Sequence, residues 1–139
     1  SILVERADDA LTITVEDDGP GLPVEPEQAL DPFFTTKGHK KTGLGLSLFR
    51  QAAEAAGGGL EVGRSDELGG VRVSARMSIV NVDRPPLGDI AASLATMVVT
   101  NPAIEFRVRV CDGGDRVSLR GPDVARHLAE IVAFQDSLA

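Results

Sequence analysis

Three short segments carry residue types that can do chemistry. Asp17-Asp18-Gly19-Pro20-Gly21-Leu22 follows directly on a stretch of alternating apolar residues. Asp, Gly and Pro are the residues turns are made of, so it reads as a turn. It also reads as a strand end that delivers a carboxylate into a cleft, with Gly19 and Gly21 leaving space for a planar ring to approach the backbone. The residues alone leave both readings open. The second segment is Asp31-Pro32-Phe33-Phe34-Thr35-Thr36-Lys37, and the third is Lys41-Thr42-Gly43-Leu44-Gly45-Leu46-Ser47, where an apolar helical pattern begins. A helix N-terminus that opens on glycine exposes free amides and the positive end of the dipole, which suits a phosphate. All the lysines of the chain, Lys37, Lys40 and Lys41, fall just before Thr42, with His39 among them. The chain holds 14 Lys+Arg against 21 Asp+Glu, a formal net charge of −7. In that background the cluster asks for an anion, and a solvated loop is the bland alternative. Two familiar nucleotide patterns are missing: there is no G-x-x-x-x-G-K-[ST], and Gly43-x-Gly45 lacks the third glycine of the dinucleotide fingerprint.

The elements that must position these segments follow from periodicity. Leu11, Ile13 and Val15 alternate with Thr12, Thr14 and Glu16, which predicts a strand over 11–16. Ile2-Leu3-Val4 predicts a partner strand, joined to it by an Ala7–Ala10 turn. After a Gly/Pro-rich break at 19–26, Leu44, Leu48 and Ala52 recur at i, i+4, i+8 beside Leu46, Phe49 and Ala53, which predicts a largely buried helix over 43–56. Gly57-Gly58-Gly59 ends it. Leu60 and Val62, a turn at 66–70, and Val71, Val73, Ala75, Met77 and Ile79 predict a second hairpin. Asp83-Arg84-Pro85-Pro86 breaks regular structure, so 81–86 is expected as a linker and 87–139 as a separate small αββα unit. Its first helix presents Leu87, Ile90, Leu94, Met97 and Val98 and stops at Asn101-Pro102. Its hairpin runs through Ile104, Phe106, Val108 and Val110, a turn at 112–115, and Val117–Leu119. Its last helix starts at Pro122-Asp123 with Val124, Leu128, Ile131 and Leu138 facing the core.

An acidic balance disfavours nucleic acid or anionic lipid as a partner, since both need a basic surface. The single thiol, Cys111, forms no internal disulfide and points to a reducing compartment, with the cytoplasm as the default. The least polar stretch, 87–99, is interrupted by Asp89 and Ser93 and falls short of the roughly 20 residues of a spanning helix. The first residues lack the pattern of a signal peptide. His127 reads as a helix-surface histidine and Cys111 as a packing residue. Arg107, Arg109, Arg116 and Arg120 on the late hairpin read either as a solvated face or as a site for an acidic partner.

Together, a strand-end Asp with glycines, a Phe-Phe segment with lysines and a Gly-x-Gly helix start resemble three of the four ATP-binding boxes of the histidine-kinase-like ATPases. That superfamily holds sensor histidine kinases, gyrase, mismatch-repair ATPases and heat-shock chaperones. The resemblance spans residues 1–80 and implies an α+β fold, a two-layer α/β sandwich of the Bergerat type. Asp17-x-Gly19-x-Gly21 is similar to the first glycine box, whose Asp accepts a hydrogen bond from the adenine amino group. Pro32–Lys37 looks like the F box, which brings in Phe34, Thr36 and Lys37. Thr42, Gly43, Leu44, Gly45, Leu46 and Ser47 look like the second glycine box, and the mobile ATP lid lies between the two. By the resemblance, Lys37 and the amides around Gly43 and Gly45 hold phosphates.

The combination of F box and Gly-Leu-Gly-Leu-Ser is most similar to sensor histidine kinases. It implies an ATP-binding catalytic domain that transfers phosphate to a protein His, or to a Ser if the chain belongs to the anti-sigma branch. The rival reading is a regulatory ATP-binding module without turnover, with its partner surface on 87–139. The fourth box, the N box, supplies the Asn that holds Mg²⁺ in that family. The residues ahead of Asp17 read as strands, and the only asparagines, Asn81 and Asn101, lie downstream. The expectation is that the metal ligand and the catalytic polar residue lie outside this polypeptide. The N-box helix covers one sheet face in that fold, so Ile2 and Val4, or their neighbours on the opposite face, are expected to need cover from the late helices, a second copy of the chain or an exchanged element.

Overall fold

The computed structural model describes residues 1–33, 44–120, 123 and 127–137. Six strands make one sheet: β1 (Ile2–Ala7), β2 (Ala10–Glu16), β3 (Gly59–Arg64), β4 (Val71–Ser78), β5 (Arg107–Asp112) and β6 (Asp115–Arg120). The helices are α1 (Pro26–Ala29), α2 (Leu44–Ala55), α3 (Ile90–Thr100) and α4 (Leu128–Ser137). Spatial order in the sheet is β3-β4-β2-β1-β5-β6, antiparallel throughout except where β5 lies parallel to β1.

Residues directly opposite one another in a ladder share a face. Val4 faces Ile13, Ile13 faces Ala75, and Val4 aligns with Val110 across the parallel pair. One face is therefore apolar from β3 to β6, and the helices cover it. Ala53 and Ala56 of the α2 region, Ala91 and Leu94 of α3, and Ile131 and Phe134 of α4 join Ile2, Val4, Leu11, Met77 and Val108 in a single cluster. The opposite face carries Thr14, whose hydroxyl lies 3.0 Å from that of Ser74. This is a two-layer α+β sandwich, as the sequence predicts.

The boundary expected at 81–86 lies along the chain but does not divide the core. Residues 87–139 do run helix, hairpin, helix, yet the hairpin continues the first sheet through β1 and both helices pack into the shared cluster. Of the three covers expected for Ile2 and Val4, the late helices are the one the fold shows. Arg6 ties the parts further: its Nε donates to Asp112 Oδ1 at 2.7 Å, its Nη2 to Asp112 Oδ2, and its Nη1 to the Ser137 carbonyl at 3.0 Å. Gln135 of α4 accepts from the Ile90 amide at 2.7 Å, so one helix caps another's exposed donor.

Several local expectations are corrected. α2 is amphipathic and not largely buried: Leu48 is 56% exposed, while Ser47, Ala53 and Ala56 are buried. Small residues dominate the contact because the helix lies close over β3 and β4. The short α1 goes unforeseen, since four residues starting at Pro26 have no periodicity to detect. Ile104 and Phe106 precede β5, because the Ile104 amide donates to the Asn101 carbonyl at 3.0 Å and closes a turn there. In α4, Ile131 is buried as expected and Phe134 joins it. Val124 and Leu138 lie outside the described residues.

Candidate functional site

Asp17 stands one residue beyond β2, at the end of the sheet where β1 begins and β4 begins. Four hydrogen bonds fix it. Its amide donates to the Val71 carbonyl at 3.0 Å, and its carbonyl accepts from the Gly70 amide at 3.1 Å. Its carboxylate Oδ1 accepts from the amides of Gly19 and Val71, both at 3.0 Å. The Gly19 contact is an Asx turn, so the turn reading of this segment holds. The same geometry aims a carboxylate outward, because Oδ2 has no donor among the described residues.

The support under Asp17 comes from residues that pattern reading missed. A Cβ on Gly70 would sit 2.1 Å from Asp17 Oδ1 and 2.4 Å from its backbone oxygen, so only glycine fits. The 65–70 turn that presents Gly70 is built on Ser65, which is fully buried. Its hydroxyl donates to Glu16 Oε1 at 2.9 Å and accepts from the Leu68 amide at 3.0 Å. The available signal was the Gly69-Gly70 pair immediately before a strong strand, which looked like ordinary turn punctuation.

The other expected residues fall in two groups. Gly19 lies against Asp17, and Gly21 adopts a left-handed φ of +88° with open space around it. Leu44 opens α2, Gly45 is exposed, Leu46 is half-buried and Ser47 is buried. Phe34, Thr36, Lys37, Thr42 and Gly43 lie outside the described residues, as do His39, Lys40 and Lys41. Because α2 leads into the start of β3 at the far end of the sheet, its N-terminus points back toward the end that carries Asp17. A groove beside Ser47 is lined by Leu30, Asp31 and Arg50. A separate cleft of about 400 Å³ opens beside Asp17.

No group of three or more His, Cys, Asp or Glu side chains clusters among the described residues. The two asparagines are committed elsewhere, Asn81 Oδ1 accepting from the Asp83 amide at 2.8 Å and Asn101 Nδ2 donating to the Met97 carbonyl at 2.9 Å. His127 lies 3.3 Å from Glu130 on the surface, and Cys111 is buried and free. Among the described residues no helix is long and apolar enough to cross a membrane.

Asp17 is thus locked at a strand end of a two-layer α+β sheet, with Oδ2 without a donor among the described residues. Residues 1–81 match the family of histidine kinase-, DNA gyrase B- and HSP90-like ATPases, and the chain belongs to it. Its cofactor class is accordingly ATP. A search of curated proteins returns no match to the chain.

Proposed function

We propose that this chain is the ATP-binding catalytic part of a protein kinase of the sensor-histidine-kinase type, working in a cytoplasmic two-component relay. The observation that carries the reading is Asp17: Oδ1 is held by two amides and Oδ2 is left to accept the N–H of an adenine amino group. A carboxylate accepts and does not donate, so it favours a base with an amino group there over one with a carbonyl. Support for kinase chemistry comes from the F-box and Gly-Leu-Gly-Leu-Ser patterns. In this reading Phe34, Thr36 and Lys37 close over the triphosphate, and the amides from Thr42 to Ser47 receive its charge at the α2 N-terminus. The γ-phosphoryl then passes to an imidazole nitrogen of a partner His, or to a Ser oxygen, with ADP leaving.

Calorimetric titration with ADP, without and with Mg²⁺, tests the base site. Asp17→Asn places an amide donor against the base's own donor, and the expected loss of affinity is about 10- to 100-fold. Unchanged affinity in that variant sinks the reading. For the kinase step, γ-labelled ATP is given to the protein that carries this chain. Acid-labile label on a partner protein identifies phosphohistidine and acid-stable label phosphoserine. Nucleotide binding with no phosphoprotein of either kind favours the regulatory module instead.

A further inference from the structure

The cleft beside Asp17 has two walls, and one of them comes from outside the family match. Ile2 and Val15 form the first; Met97, Ile104 and Phe106 form the second. Three of these side chains are exposed to solvent at the cleft: Val15 is 40% exposed, Met97 37% and Ile104 55%. The second wall is held in shape by the end of α3. Asn101 Nδ2 donates to the Met97 carbonyl at 2.9 Å, and the Ile104 amide closes the Asn101 turn at 3.0 Å.

The rim chemistry selects among ligands. Glu16, Asp17, Asp18 and Glu105 border the cleft; the cations there are Arg107, paired with Glu105 at 3.4 Å, and the Ser1 ammonium, which donates to the Glu16 carbonyl at 2.8 Å. A phosphate at this place meets net negative charge, whereas a neutral flat heterocycle bearing an amino group meets two apolar walls and a carboxylate acceptor. A volume of about 400 Å³ is within the usual range of small-molecule sites, about 300–1,000 Å³.

We infer that the 97–107 segment walls the base subsite: a purine base lies between Val15 and the Met97–Ile104 surface, its amino group on Asp17. The inference rests on the nucleotide reading of Asp17 and adds that residues beyond the family match set base affinity. It also makes α3 a direct sensor of occupancy, since Met97 belongs to that helix.

The test is a titration of the chain with ADP in metal-free buffer. Met97→Gln and Ile104→Gln each replace an exposed apolar surface, so folding is preserved, and each weakens ADP by about fivefold, the pair by about 25-fold. Val99→Gln, on the same helix at 71% exposure and outside the cleft, leaves affinity unchanged. The chain contains no Trp or Tyr, so Phe106→Trp provides a single indole whose emission changes on ADP addition. Wild-type affinity in both Gln variants, with Asp17→Asn still defective, overturns the wall and leaves the Asp17 reading standing. Weakening in the Gln variants with Asp17→Asn unaffected overturns the Asp17 reading and, with it, the base placement inferred here. No ADP binding by the unmodified chain overturns both.

Discussion

Two regions of one sheet are held by different means. The turn under Asp17 is fixed by backbone amides, a carboxylate and a glycine with no room for a side chain. The late helices are fixed by buried apolar side chains, with Ile131 fully buried and Leu94 and Phe134 nearly so. The first arrangement tolerates almost no change at a few atoms. The second spreads its stabilisation over many interchangeable contacts, as dispersion and the hydrophobic effect allow. The difference teaches that placing a functional carboxylate and closing a core are separate problems, solved here by separate residues.

If the two regions are independent in this sense, variants divide cleanly. Ile131→Ala leaves a cavity in the shared cluster and should cost about 3–4 kcal/mol in denaturant unfolding, with ADP affinity retained under native conditions. Gly70→Ala should cost about 2–3 kcal/mol, because the added methyl meets backbone and not a flexible side-chain end. Unlike Ile131→Ala, it should also abolish measurable ADP binding by displacing Asp17. Gly21→Ala is its foil: the position has a positive φ but nothing within 4 Å, so a cost near 1 kcal/mol is expected. Arg6→Ala removes the half-buried bidentate pair with Asp112, whose side chains are 27% and 33% exposed. A loss of about 1–2 kcal/mol is expected after discounting for solvent screening, read as a lower melting temperature. If Ile131→Ala weakens ADP as strongly as Gly70→Ala, the two regions are coupled and the division fails.

The sequence made the strands legible wherever one face is buried, because alternation at Leu11–Val15 and Val71–Met77 is the direct imprint of that burial. Gly57 and Gly58 were legible as a helix stop, with Gly57 at a φ of +75°. The pairing of β1 with β5 was not legible. Period two says that a strand has an inside and an outside, and it is silent on which strand lies alongside. For the same reason Pro85-Pro86 suggested a domain boundary where the chain turns and rejoins its own sheet. At the site, Asp17 stood out by type and position. Gly70 and Ser65 did not, since their roles arise only when β4 is laid beside β2.

The parallel pairing of β1 with β5 also sets an order of events during synthesis. About 100 residues separate the end of β1 at Ala7 from its second neighbour in the sheet, which begins at Arg107. At about 5–20 residues per second the nascent chain spends on the order of 5–20 seconds with one edge of β1 unpaired. An unpaired edge is a template for another strand. A product stopped short of Arg107 keeps that edge permanently and loses α4 from the core, so translational arrest or a nonsense mutation there yields an adhesive species, and cells have reason to degrade it quickly.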